Sequence, residues 1–443
     1  MDFKYIYLFA LVICLPFKSV IGQDQSTQKR SLQSCVELAL ERNLALQNRS
    51  VAAERAALGY ATAWQGRLPS LNATLRHGLN EGKGIDPSTN QFISNRFTSG
   101  NQELSTSMVL FDGLGMLYDI RQQAKWRDAA QKEQEGTAIA LKLDVILAYI
   151  QIWTAQDILT QATTNMLTTE AQLSRATTLH GQGAIAPSDY FDIKGQYAAE
   201  ASNVNTLKKA VFERRVALAS LMNIAESDLG ELASLSRPLD EITDVSIQAD
   251  QLYQSAQTAL PEYQALELKM QAATYAVKYA KSAYYPKLTF GAGLNSQYSG
   301  TSKDSYIKQV DNNLGKYLSF GLSIPIFNGF KVRNQVRDAK LNYRNQQIEN
   351  DQKNLELLEK TTKTVFDYRQ SFENIRLLNE QVQDYRESFR IAQVRFDEGD
   401  INSVTYIIAK NKYEQAMSQL TIAEYQLTLQ RYTMDYYHGK LGF

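Results

Sequence analysis

The chain has 443 residues and sets 47 Lys and Arg against 47 Asp and Glu, so no global field draws in nucleic acid. Only 23 glycines and eight prolines punctuate that length, a composition suited to long helices.

The N-terminus reads as a secretory signal over residues 1–22. Lys4 precedes the apolar run Tyr5–Leu15, polar sequence resumes at Gln23, and cleavage is expected near Gly22. The rival reading is lipoprotein processing at Cys14, against which bulky Ile13 counts. After cleavage Cys35 stands alone, so no intrachain disulfide forms, and its amphipathic setting suits a small buried apolar residue. No later segment offers the ~18 consecutive apolar residues of a transmembrane helix. A chain that crosses a membrane without one does so with strands.

The mature sequence is duplicated. Adding 216 carries Phe111 to Phe327, Gly113 to Gly329, Arg121 to Arg337, Gly183 to Gly399, Tyr190 to Tyr406 and Lys194 to Lys410. Pro69 and Leu71 meet Pro286 and Leu288 at 217, a slip of one residue. The expected organisation is a first repeat over 23–223, a connector over 224–250 and a second repeat over 251–443. Each repeat reads helix, strand, loop, strand, long helix, turn, helix. In the first repeat a helix of about 32–66 precedes strands 68–80 and 102–111, a long helix 116–180 interrupted only at Gly136, and a helix 188–223. The second repeat has a helix 251–285, strands 286–298 and 317–327, a long helix 331–398 and a helix 402–437.

The strands alternate with period two. Leu71 and Leu75 share one side of the first strand with Ala73, and Leu104, Thr106, Met108 and Leu110 share one side of its partner. Leu288, Phe290, Leu318, Phe320 and Leu322 continue the pattern in the second repeat against small or polar neighbours. Such segments fit a barrel with lipid outside and water inside, and fit a half-buried soluble sheet as well. The long helices tip the balance. No Gly or Pro lies between Gly329 and Gly399, a tract of ~100 Å as one helix at ~1.5 Å per residue. Ile375, Val382, Phe389 and Phe396 recur at steps of seven, the spacing of helix-on-helix packing. The shorter helices of opposite halves, stacked end to end, match one long helix. Four strands cannot close a barrel, and open edges in hydrocarbon cost several kcal/mol per backbone group. Three protomers give an even-numbered barrel of about twelve strands with a polar lumen.

Here the chain resembles the TolC-like family of outer membrane efflux proteins, across nearly all of its mature length. The likeness rests on the strand starts Leu68-Pro69-Ser70-Leu71 and Tyr285-Pro286-Lys287-Leu288. It rests equally on the strand exits Val109–Gly113 and Ile324–Gly329 and on the turns at Gly183 and Gly399. The resemblance implies a mainly α protein with β: a tandem-duplicated protomer forming a trimeric 12-stranded transmembrane β-barrel, four strands per chain, continued by a long periplasmic α-helical barrel. It implies the outer membrane of a Gram-negative bacterium and a passive exit duct for efflux or type I secretion. The implied partners are a periplasmic adaptor (membrane-fusion) protein and an inner-membrane transporter of RND or ABC type. Adaptor docking maps to the tip turns at Gly181, Gly183, Ala184, Ser188, Gly399, Asp400 and Ser403. Gate acids map to Asp189, with Asp192 and Asp397 as further candidates. The family's second-repeat acidic positions are Thr405 and Ile408 here, so no acidic ring is expected from that repeat.

Catalytic patterns are missing from the sequence. His77, His180 and His438 are scattered, no HExxH, CxxC or Gly-x-Ser-x-Gly occurs, and no cofactor or metal is expected. The competing reading is a secreted coiled-coil structural or adhesin protein with a soluble sheet.

Overall fold

The computed structural model describes residues 29–86, 90–94, 96–234 and 248–441. The expected signal and residues 235–247 of the connector lie outside the described residues.

Helix α1 (Leu32–Arg42) starts at Ser31, whose Oγ accepts from the Ser34 amide at 3.2 Å. It stops at Asn43, whose Oδ1 then accepts from Ala45 N and Leu46 N and starts α2 (Leu44–Gln65). One helix was expected over 32–66, and this Asn cap splits it. The second repeat breaks at the equivalent place: Leu260 separates α5 (Ala249–Ala259) from α6 (Pro261–Ser282), with Pro261 in the first turn of the new helix.

Strands β1 (Ser70–Asn80) and β4 (Phe97–Phe111) belong to the first repeat, β5 (Lys287–Ser299) and β6 (Gly315–Ser323) to the second. They form one antiparallel sheet in the order β1-β4-β5-β6, so the duplication meets itself at β4–β5, and β1 and β6 keep open outer edges. The β1–β4 connection holds the small pair β2 (Gly84–Ile85) and β3 (Phe92–Ile93), and the β5–β6 connection holds α7 (Tyr306–Asn312). The strand expected over 317–327 begins earlier and ends at Ser323. Pro325, with no amide hydrogen, follows two residues later.

After each strand pair the chain turns sharply. Leu114 (φ 68°) and Phe330 (φ 63°) both sit in the left-handed region, each preceded by a glycine of positive φ. They open α3 (Gly115–Gly181) and α8 (Lys331–Asp397), 67 residues each and ~100 Å long. Asp112 Oδ2 accepts from the Met116 amide at 2.8 Å and closes the first of these turns. Gly136 does not interrupt α3: a Cβ there would lie 3.2 Å from the Glu262 amide, so the glycine admits the start of α6 at close range.

Helices α4 (Pro187–Leu221) and α9 (Ser403–Tyr437) run back from the far ends. The expected stacking of short helices from opposite halves is corrected here. Asn43, at the start of α2, donates to the Leu221 carbonyl that ends α4, so α2 sits over α4 of its own repeat. Gly439, just past α9, meets Ala259 at the α5–α6 break, so the second repeat stacks in the same way. Chain connectivity explains it, because each short pair flanks its own long helix. At this mid-height Cys35, Val36 and Ala39 pack on Val145, Ile146, Tyr149 and Ile150 of α3, with Leu218, Met222 and Leu229 closing the cluster. Alone among the described helices, α3 is long and apolar enough by composition to cross a membrane. Its apolar middle is instead the backbone of this core, each buried aliphatic side chain contributing about 1.5–3 kcal/mol.

Candidate functional site

Two regions have the geometry of working surfaces: the sheet, and the far tip of the helices. In the sheet, register sorts every side chain. Leu71 opposes Thr106, Leu75 opposes Gln102, and Leu104 lies between Ala73 and Leu294. Met108 opposes Phe290, Phe290 opposes Phe320, Ala292 opposes Leu318, and Leu288 opposes Leu322. Directly opposed residues share a face. All nine residues expected to face lipid (Leu71, Leu75, Leu104, Met108, Leu288, Phe290, Leu318, Phe320 and Leu322) therefore fall on one side. The other side carries Asn72, Thr74, Glu103, Ser105, Thr289, Gly291, Gly293, Ser319 and Gly321. Leu110 was expected beside Met108, but a bulge between Val109 and Phe111 makes it the extra residue and gives its place to Phe111, opposite Leu288.

The outer end of the apolar face changes character. Gln102 Nε2 donates to the Tyr306 hydroxyl at 3.0 Å, and the His77 ring lies 5.5 Å from Tyr298 and 5.6 Å from Tyr306. Rings with a polar tip suit the boundary between hydrocarbon and water. No sequence pattern announces this cluster, because α7 delivers Tyr306 from the β5–β6 connection. Behind it Asp86, buried, accepts from Ser299 Oγ at 2.8 Å and from Thr301 Oγ1, tying the two outer loops together.

At the tip the turns are alike. Gly183 (φ 69°) and Gly399 (φ 78°) follow the ends of α3 and α8, with Ala184 N bonded to Leu179 O and Asp400 N to Arg395 O, both at 2.8 Å. An added Cβ at Gly181, Gly183 or Gly399 would meet nothing within 4 Å, so these positions are open to solvent in the single chain. Ala184 and Ser188 are exposed beside them, and Asp400 Oδ2 accepts from Arg395 at 2.7 Å.

The acids expected at a gate are engaged within the chain. Asp189 Oδ1 accepts from the Ser403 amide at 3.0 Å and from its Oγ at 2.6 Å, and Asp192 Oδ2 lies 2.9 Å from the same hydroxyl. Ser403 is fully buried, so the α4 acids hold the first turn of α9, where an anion is favoured by the free amides. Asp397 accepts from Arg175 of α3 at 2.5 Å. Arg175, Asp189, Asp397 and Gly399 line one cleft of about 450 Å³ at the tip. Sequence reasoning named the three acids but missed Arg175 and the role of Ser403, which lie about 220 and 210 residues from their partners. It also missed Lys410, 2% exposed and 2.6 Å from both Glu200 and Glu414. Burial holds the Glu414 carboxyl above its ordinary value and pushes the nearby Tyr406 phenol up to about 12, with Asp397, Glu414 and Glu200 adding to the latter.

The model of the family described as outer membrane efflux protein matches residues 252–439. TolC of Salmonella enteritidis is 22% identical over 355 residues, covering 77% of this chain and 70% of that protein. The pyoverdine export outer membrane protein OpmQ of Pseudomonas aeruginosa is 24% identical over 380 residues, 82% of this chain and 72% of that one. In fold, the CmeC outer membrane channel of Campylobacter jejuni superposes with a TM-score of 0.81 at 16% identity, over 92% of this chain and 86% of that. A sheet with one apolar face, carried on helices of this length, is the fold this chain shares with that channel. Residues 252–439, nearly all of the second repeat, match the outer membrane efflux protein family, and over most of its length the chain is similar to TolC and OpmQ.

Proposed function

We propose that the protein is the outer-membrane exit duct of a tripartite efflux or type I secretion system, a passive conduit working as a homotrimer. The observation that carries this reading is the four-stranded sheet. The nine residues expected to face lipid lie on one face, its two edges are open, and it leads directly into 67-residue helices. Alone, such a sheet strands backbone groups at both edges; in a closed ring none is left unpaired. The secreted adhesin reading leaves the apolar face without a purpose and is set aside.

In this arrangement lipid contacts Leu71, Leu75, Leu104, Met108, Leu288, Phe290, Leu318, Phe320 and Leu322, while the small polar face lines the water path. The helices extend into the periplasm. The turns at Gly181–Ser188 and Glu398–Ser403 meet a periplasmic adaptor, which joins the duct to an inner-membrane transporter of RND or ABC type. The inner-membrane partner supplies the energy. Asp189, Asp192 and Asp397 border the narrow end, where their bonds to Ser403 and Arg175 hold the two helical hairpins of one chain together. Purification tests the reading. The mature protein is expected to need detergent to leave the outer-membrane fraction, to have the mass of three chains and to conduct ions in a planar bilayer. A soluble monomer without conductance refutes it.

A further inference from the structure

Helix α7 is folded onto the apolar side of the sheet. Ser296 and Tyr298 follow Leu294 at steps of two along β5 and so share its face. Ser296 Oγ donates to the Val310 carbonyl of α7 at 2.7 Å, and the Tyr298 and Tyr306 rings lie 5.2 Å apart. Gln102, opposite Ser296 on β4, reaches the Tyr306 hydroxyl from the same side. Just past the helix, Asn313 Nδ2 donates to the Gln297 carbonyl at 2.8 Å. A loop between two strands is thus fastened over side chains that continue the row of Phe290, Ala292 and Leu294.

The place it covers is where the apolar belt runs short. A strand crossing a membrane needs about 9–11 residues when tilted. Along β1 the leucines of this face extend from Leu71 to Leu79, and beyond β6 the face continues from Leu322 to exposed Ile324 and Ile326. On the inner strand β5 the row begins at Leu288 and stops at Leu294. The next outward positions of β4 and β5 are Gln102 and Ser296, which in hydrocarbon would be polar groups without water. Both are bonded to α7, and Ser296 is only 3% exposed.

Away from the sheet α7 presents Ile307, 80% exposed, and exposed Leu314 follows the helix. Its charges balance: Lys308 pairs with Asp304 at 2.8 Å, and Lys303 is matched by Asp311. The outward surface is therefore apolar and neutral, without the excess of cations that a phosphate site requires. Lys316, opposite Leu294 on the apolar face of β6, marks the same level, since a lysine stem lies along apolar surface while its ammonium reaches headgroups. Because β5 is an inner strand, a second chain added at the open edge of β1 or β6 leaves α7 uncovered.

We propose that α7 lies in the outer leaflet and completes the lipid-facing belt over β4 and β5. Ile307 and Leu314 contact acyl chains just beneath the headgroups, and Gln102, Ser296 and the His77–Tyr298–Tyr306 rings are sealed below the helix. The occupant of this surface is bilayer lipid, held by apolar contact as an interfacial helix is held. The proposal rests on the reading of the sheet as part of a membrane barrel and goes beyond it, placing part of an outer connection in lipid instead of water.

Fluorescence quenching tests it in the full mature chain carrying Cys35→Ala, reconstituted into phosphatidylcholine vesicles. Ile307→Cys, Lys303→Cys, Phe320→Cys and Ser319→Cys each receive one small fluorophore. Each is challenged with aqueous iodide, and with phosphatidylcholine bearing a nitroxide either near the headgroup or near the bilayer centre. Ile307 and Lys303 are both exposed, so neither label displaces a packed side chain. The label at 307 is expected to be quenched several-fold more by the shallow nitroxide than by iodide. The label at 320 should respond most to the central nitroxide, and those at 303 and 319 to iodide. A 307 label that behaves like the one at 303, with 320 still quenched from lipid, overturns the proposal and keeps the barrel. A 307 label shielded from every quencher is covered by protein, which also overturns it. Iodide quenching at 320 without lipid quenching sinks the membrane reading, and the proposal with it.

Discussion

Phe320→Arg and Ser319→Arg are neighbours in sequence and opposites in consequence. Phe320 lies in the middle of β6, opposite Phe290 with ring centroids 5.4 Å apart, and is 64% exposed in the single chain. Ser319 opposes Gly291 on the other face. An arginine facing lipid at mid-bilayer costs about 2–4 kcal/mol, and loss of the aromatic pair adds about 0.5–1.5. A trimer carries three copies, so the total of about 8–16 kcal/mol rivals a typical folding margin of about 5–15. Arginine at 319 stays hydrated and incurs little of this. Trimer yield from outer membranes, read on a semi-native gel, is expected to collapse for Phe320→Arg and to stay near wild type for Ser319→Arg. The second variant is expected instead to change single-channel conductance, because it adds three charges to the lumen. Equal loss from both, or the reverse order, refutes the face assignment, since a slip of one residue exchanges the two sides.

Other expectations follow from the helices and loops. Lys410→Met leaves Glu200 and Glu414 buried together and is expected to cost about 3–5 kcal/mol, seen as a lower Tm; an unchanged Tm rejects the buried-triad account. Burial raises the folded-state value of Glu414, so its contribution to stability is fully present below about 4.3 and is lost as pH rises through the raised value. Wild type should therefore lose stability relative to Glu414→Gln between pH 4 and pH 8, and parallel melting curves contradict this. Gly399→Trp, at φ 78° with open space around it, should trimerise and conduct yet fail to bind adaptor in a pull-down; normal binding removes Gly399 from the interface. An epitope inserted after exposed Lys303, in the loop ahead of α7, should be labelled on intact cells, and labelling only after permeabilisation inverts the topology.

What the sequence disclosed was governed by repetition and period. The 216-residue duplication, the alternation in the strands and the uninterrupted tract from Lys331 were legible because each is a local or self-similar pattern. The breaks at Asn43 and Leu260 were not, since the Asn43 cap inside an apolar-periodic run looks like one more polar residue and the Leu260 break has no capping side chain at all. The bulge at Leu110 escaped for a related reason: alternation read along one strand cannot reveal that its partner has skipped a residue. At the tip, Asp189 was found by its distance from a glycine turn, whereas Ser403 and Arg175 are joined to the acids only by folding. The heptads read in α8, Val382 and Phe396 among them, face its own hairpin and the packing around Tyr406. Leu341, Ile348, Leu355, Phe366 and Leu377, exposed on the same helix, are spread over 7- and 11-residue steps and have no single period.

The tandem duplication also bears on how the contact between the two repeats is brought together. That contact is tethered by the peptide chain, so its halves meet at a high effective concentration and little intrinsic affinity is required of them. Any contact between separate chains, as in the proposed homotrimer, has no such tether and must overcome the loss of translational and rotational freedom, a cost of about 4–15 kcal/mol. Where α8 carries Leu341, Ile348 and Leu355, the equivalent positions of α3 carry Lys125, Lys132 and Ile139. Leu341, Ile348 and Leu355 stay apolar and exposed in the single chain, whereas two of their three α3 counterparts are lysines.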